Sequence, residues 1–184
     1  MAKNVNKIIR ASGRLVIGPT NLSLPFPYGG TQIGYTKSVA VRSLGQTALV
    51  QSEGLGQVTD YLQANHRWVM ACMIRGWDDD ALALLQPDHY SVGSVTRHAL
   101  MTVPGSAIPG VSQFDQSRVV LFSPDDVINV PAVIAYRAIA DIQDGEALSW
   151  QRTQELGMPM AFELLQGATG KILQIGRLAD LAVT

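Results

Sequence analysis

Ala132-Val133-Ile134-Ala135-Tyr136-Arg137-Ala138-Ile139-Ala140-Asp141-Ile142 decides the fold class of this chain. Set out as a strand, whose side chains alternate between two faces, it puts Ile134, Tyr136, Ala138, Ala140 and Ile142 on one side. Val133, Ala135, Arg137, Ile139 and Asp141 fall on the other. Trp68–Arg75 behaves alike, with Trp68, Met70, Cys72 and Ile74 on one face and Val69, Ala71, Met73 and Arg75 on the other. A sheet with one wet face alternates cleanly between apolar and polar. These two strands do not, so each needs cover on both sides. The cover comes from a flanking helix, from a neighbouring copy, or from a second core layer inside the same chain, and periodicity does not choose among them.

The rest of the sequence is also organised as short apolar runs punctuated by Gly, Pro, Ser, Asn and Asp, the pattern of many short strands. Further strands are predicted over Gly13–Ile17, Gln32–Arg42, Thr47–Gln51, Arg118–Phe122, Pro159–Leu165 and Lys171–Arg177. The last two flank Gln166-Gly167-Ala168-Thr169-Gly170, which reads as a hairpin loop because glycine readily takes positive φ. One helix is signalled over Ala81–Gln86: Asp78-Asp79-Asp80 supplies a cap and suits the helix dipole, and Pro87 ends it. Gly145–Leu156 has a helical reading that Trp150 and Thr153 weaken, and Gln57–Ala64 takes no single assignment. The fold class expected is mainly β: an antiparallel barrel or sandwich of about eight strands, with one short flanking helix and long loops.

Two loops, Pro19–Gly30 and His98–Ser117, exceed the usual length of a connection. They carry Phe26, Tyr28, Met101, Val103, Ile108, Val111 and Phe114, residues that disordered linkers avoid. Both read as arms that dock on something.

At 184 residues the chain has the length of one domain, 1–184. Its net charge is −1 and only 16% of residues are charged, against about 25% in an ordinary globular protein. So thin a charge implies a surface partly covered by something. No uninterrupted apolar run reaches the length of a membrane span, and the N-terminus has no apolar segment of a secretory signal. Lys and Arg are scattered, without the basic stripe that grips nucleic acid. The expectation is a soluble intracellular protein. Cys72 is the lone cysteine, set in an apolar run where a thiol acts as a small buried hydrophobe.

Signs of chemistry are sparse. His66, His89 and His98 show no metal-ligand spacing. His89 beside Asp88, with Asp78–Asp80, is the best metal candidate, yet a helix N-terminus and a polar loop account for the same aspartates. Gly93-Ser94 and Gly105-Ser106 do not form a nucleophile elbow. Gly54-Leu55-Gly56 lacks the third glycine of a dinucleotide fingerprint. Glu53, Glu146, Glu155 and Glu163 lie far apart in sequence. No cofactor, metal or catalytic residue is expected.

Three stretches resemble the tail tube (major tail) proteins of tailed bacteriophages. Ala11–Thr20, continuing through Leu24-Pro25-Phe26-Pro27-Tyr28-Gly29-Gly30-Thr31-Gln32-Ile33-Gly34, is similar to the family's opening strand, its Pro/Gly arm and the entry to the next strand. Trp77–Leu85 resembles its single helix, and Ile172–Leu181 its C-terminal stretch. The resemblance covers roughly a third of the chain. It implies a β-barrel-like fold shared with type VI secretion tube proteins, hexameric rings, and rings stacked into a tube that conducts DNA during ejection. It implies a structural virion protein in the tail, assembled in the host cytoplasm. Its partners would be itself and other tail proteins (sheath or tape measure, terminator, baseplate), with DNA passing unbound and no membrane involved.

On that resemblance Pro25, Phe26, Pro27, Tyr28, Gly29 and Gly30 would contact a neighbouring subunit or ring, and their deletion would leave the domain folded. Asp141 and Glu163 would face the lumen, where negative charge repels phosphates; the alternative is that both face solvent or pair with arginine. Other function classes are a head–tail terminator, adaptor or capsid decoration protein, and a small β-barrel hydrolase or metal-dependent enzyme around Asp88 and His89.

Overall fold

The computed structural model describes residues 12–51, 58–77, 90–92, 99–101, 117–141 and 157–183. Nine strands follow in chain order: β1 Gly13–Ile17, β2 Thr31–Gln51, β3 Val58–Trp77, β4 Tyr90–Val92, β5 Ala99–Met101, β6 Arg118–Pro124, β7 Ala132–Asp141, β8 Met158–Leu164 and β9 Leu173–Gly176. A 3-10 turn at Leu178–Asp180 comes last. The main sheet has the order β6-β1-β2-β3-β8-β7-β9, and β6 also pairs with β7. That pairing closes six antiparallel strands into a barrel, with β9 as an extra strand on β7. The barrel class is as the sequence indicates. The helix expected at Ala81–Gln86 and the segment Gly145–Leu156 lie outside the described residues, as do Asp78–Asp80, Asp88 and His89.

Alternation along the strands fills the barrel. Leu15 and Ile17 of β1, Ile33 of β2, Met70, Cys72 and Ile74 of β3, Val120 and Phe122 of β6 and Met158, Met160, Phe162 and Leu164 of β8 form one buried cluster. β1, β3, β6 and β8 contribute alternate residues and β2 contributes Ile33, which is what a closed sheet around a packed interior demands. Gly13 lets β1 approach β6 closely: a Cβ there would lie 2.5 Å from the Ser123 carbonyl oxygen.

The strand that opened the sequence reading has a bulge. Val120 pairs with Ala135 and Arg118 with Ala138, so three steps of β7 oppose two of β6. One extra residue moves every later side chain to the opposite face. Val133, Ala135, Ala138 and Ala140 therefore all point into the barrel, whereas Ile134 and Tyr136 point outward. This corrects the expectation that Ile134, Tyr136, Ala138 and Ala140 share a face. Both faces of β7 are nonetheless buried, as predicted, and the outer cover comes from the same chain. Val16, Leu121, Ala132, Ile134 and Tyr136 make a second cluster with Tyr28, against which Leu22, Phe26, Leu178, Leu181 and Val183 pack.

Other boundaries also move. Gln32–Arg42 and Thr47–Gln51 are parts of one strand, β2, with a register shift between Leu44 and Gln46. Val58–Ala64, within the stretch that took no single assignment, belongs with Trp68–Arg75 to a single long β3. Ala99–Met101, read as loop, pairs with Tyr90–Val92 in a separate two-stranded sheet.

The predicted C-terminal hairpin is absent from the main sheet: β8 and β9 do not pair with each other. Both run antiparallel to β7 along the same edge, β8 against Ala138–Asp141 and β9 against Ala132–Ala135. The Leu165 amide donates to the Arg137 carbonyl and the Tyr136 amide donates to the Ile172 carbonyl, so the ladder passes from 165 to 172 across adjacent residues of β7. Between them Gly167 N–H donates to the Lys171 carbonyl, closing the glycine-rich segment on itself. Loop composition marks a turn but not whether the chain reverses, and here it resumes its course.

Candidate assembly surfaces

The loop after β1 is a cover and not a free arm. The Tyr28 amide donates to the Pro25 carbonyl (2.8 Å), and the Thr20 amide to the Tyr28 carbonyl (2.9 Å). Tyr28 takes a positive φ of 61°, an uncommon conformation for a non-glycine residue. The fold holds it there by burying the ring and by a 3.1 Å hydrogen bond between its hydroxyl and that of Ser123. Phe26 meets Tyr28 edge to face with ring centres 5.5 Å apart. The Arg14 guanidinium lies 4.6 Å from the Phe26 ring and 5.4 Å from the Tyr35 ring, and 3.8 Å from Asp125. Gly30 is required by close approach, since a Cβ would sit 2.4 Å from the Ile17 carbonyl oxygen.

Of the six residues Pro25–Gly30, then, Tyr28 belongs to the outer core, Phe26 packs against it, and Pro25 and Gly29 are exposed. Leu24 beside them is also exposed. The buried Tyr28 makes the loop part of the packed structure, which weighs against the expectation that Pro25–Gly30 could be deleted without loss of the fold. What the loop offers a neighbour is its outer rim.

Glu163 lies on β8 between the inward Phe162 and Leu164, hence on the outer face. Arg67 holds it with two contacts of 2.8 Å, Nε to Oε1 and Nη2 to Oε2. This matches the alternative in which the carboxylate pairs with an arginine, and the pair carries no net charge. Asp141 ends β7 opposite Ala161. Register does not bring the two acids together, because Glu163 lies opposite Ile139.

Sequence reasoning missed two strand edges that have no further strand beside them among the described residues. The hairpin of β2 and β3 continues well past the barrel: β3 pairs with β8 only from Trp68 to Ile74, while Gln46–Gln51 pairs with Val58–Ala64. This outer half is a two-stranded ribbon of roughly 20 Å that pairs, among the described residues, only within itself. The second edge is β9, whose strand partner among the described residues is β7 alone. Ile175 stands opposite Val133, on the face that is core elsewhere, yet it is 53% exposed. The break predicted after Arg42 and the lack of an assignment for Gln57–Ala64 hid the ribbon, and the false hairpin hid the edge.

Among the described residues no three His, Cys, Asp or Glu side chains could hold a metal ion. Cys72 is buried, and that burial pushes its thiol up to about 12 from 9.0, so it stays protonated and unreactive at neutral pH. No described helix is long and apolar enough to cross a membrane. The chain matches no protein-family model and no curated protein.

Proposed function

We propose that this protein is a structural subunit that assembles with copies of itself, and that the assembly is the tube of a bacteriophage tail. The observation that carries the reading is the ribbon formed by Gln46–Gln51 and Val58–Ala64. A two-stranded ribbon is marginal in water when nothing else covers it. Only Asp60 is charged in these two segments, so they lack the charges that keep lone strands apart. Such an element is built to be covered by a neighbour. The 16% of charged residues supports the same reading.

The step from self-assembly to a tail tube rests on the resemblance of Ala11–Gly34, Trp77–Leu85 and Ile172–Leu181 to that family. In this reading rings of the subunit stack, other tail proteins bind the ends or the outside, and DNA passes without being held. Catalysis has no place in it. The neutralised Glu163 contributes no acidic lining, so the lumen excludes DNA contact through the lack of basic stripes. Electron microscopy of the purified chain tests the proposal: rings or tubes with a central channel are expected. A strictly monomeric species at high concentration and across a range of salt overturns it.

A further inference from the structure

The sheet forks where β8 ends. Beyond Trp68 and Leu164, β3 runs outward with β2, while β9 continues the line of β8 along β7. The edge of β9 that would have met β3 is left without a strand among the described residues. Its hydrogen-bonding phase follows from one bond. The Tyr136 amide donates to the Ile172 carbonyl, so 172, 174 and 176 direct their peptide groups at β7. The amides and carbonyls of Leu173 and Ile175 therefore face outward. Beside them the Ile175 side chain, half exposed, extends the core face past its last covering strand.

We propose that β9 is the acceptor edge of the assembly, and that it takes from the ribbon of a second copy the edge of β2 that has no strand beside it among the described residues. This rests on the self-assembly reading above. The chain itself carries both halves of the match: an outer ribbon that needs a third strand, and a short edge that needs one strand and cover for one isoleucine. Main-chain hydrogen bonds supply the attachment, as in other strand additions, and Ile175 gains the apolar cover it lacks. Donor and acceptor are different surfaces, so the contact is head to tail and closes into a ring or propagates as a filament.

The test uses the full chain. Ile175→Pro removes an outward amide without touching the β7 ladder, and Ile175→Lys leaves the backbone intact but places a charge on the edge. Both variants should keep the wild-type circular dichroism and melt cooperatively, yet lose assembly by sedimentation and microscopy. Mixing an Ala48→Cys chain with an Ile175→Cys chain under oxidation should give a disulfide-linked dimer, and the double variant a ladder of multimers. Variants that assemble like the wild type, or cysteine pairs that never cross-link within wild-type-like assemblies, overturn the proposal while leaving self-assembly standing. If Ile175→Pro unfolds, Ile175→Lys and the cross-link decide. A wild-type chain that stays monomeric overturns both this inference and the proposed function.

Discussion

The inside of the barrel and its outer layer bury similar side chains by different means. Inside, Phe162, Leu15, Ile33 and Met70 are sealed by strands that hydrogen-bond to one another all the way round. Outside, Val16, Leu121, Ile134 and Tyr136 are covered by two segments without strand pairing, the loop after β1 and the stretch after β9. Each is tethered by a tyrosine: Tyr28 hydroxyl to Ser123, and Tyr136 hydroxyl to Gln174 Oε1 and to the Ala182 carbonyl. The comparison teaches that a two-faced apolar strand such as β7 can be satisfied within one chain. It also shows where satisfaction stops: the cover reaches β1, β6 and β7 but leaves Ile175 exposed.

The difference is breakable in a graded way. Phe162→Ala removes the largest fully buried side chain of the interior and should lower stability by about 3–5 kcal/mol, seen as a shifted denaturant midpoint. A small loss would mean that the interior collapses easily around the gap. The inner core should also respond to alkali. Because the folded state holds the Cys72 thiol at about 12 against 9.0 when exposed, the native state retains a proton that the unfolded state loses. Stability from this group is whole below pH 9 and declines as pH rises from 9 toward 12. Cys72→Ala should make the fall in melting temperature over that interval shallower, and an unchanged slope would remove the thiol from the account.

The outer layer should be gentler. Tyr28→Phe keeps the ring and loses the bond to Ser123, an expected cost of about 1 kcal/mol by urea denaturation. A cost as large as that of Phe162→Ala would place Tyr28 in the same cooperative unit as the interior. Smallest of all is Glu163→Gln, which breaks a partly exposed ion pair with Arg67. At most about 1 kcal/mol should be lost, and less in high salt. A loss insensitive to salt would point to packing by the Arg67 stem.

Much of the barrel was legible because its strands obey alternation. Gly13–Ile17 was read to the residue, and Arg118–Phe122 and Pro159–Leu165 to within two. Misreadings arose where a local signal has two tertiary outcomes. Gln32–Arg42 and Thr47–Gln51 read as two strands, but a register shift between Leu44 and Gln46 lets β2 continue. An aromatic, proline-rich loop suggested an arm, but Tyr28 and Ser123, 95 positions apart, close it onto the barrel. The pairing of Arg67 with Glu163 and the stacking of Arg14 on Phe26 and Tyr35 depend on strand register, which side-chain chemistry alone does not encode.

The excursion between β8 and β9 has a practical meaning. It leaves and rejoins at adjacent rungs of β7, and its tip, Ala168–Gly170, is exposed. Lengthening such a loop costs only about 0.6 kcal/mol per doubling, and no rung is displaced. The tip is thus a port: an epitope tag or fluorophore-bearing peptide could be grafted at Ala168-Thr169, turning each subunit into a reporter of its own incorporation.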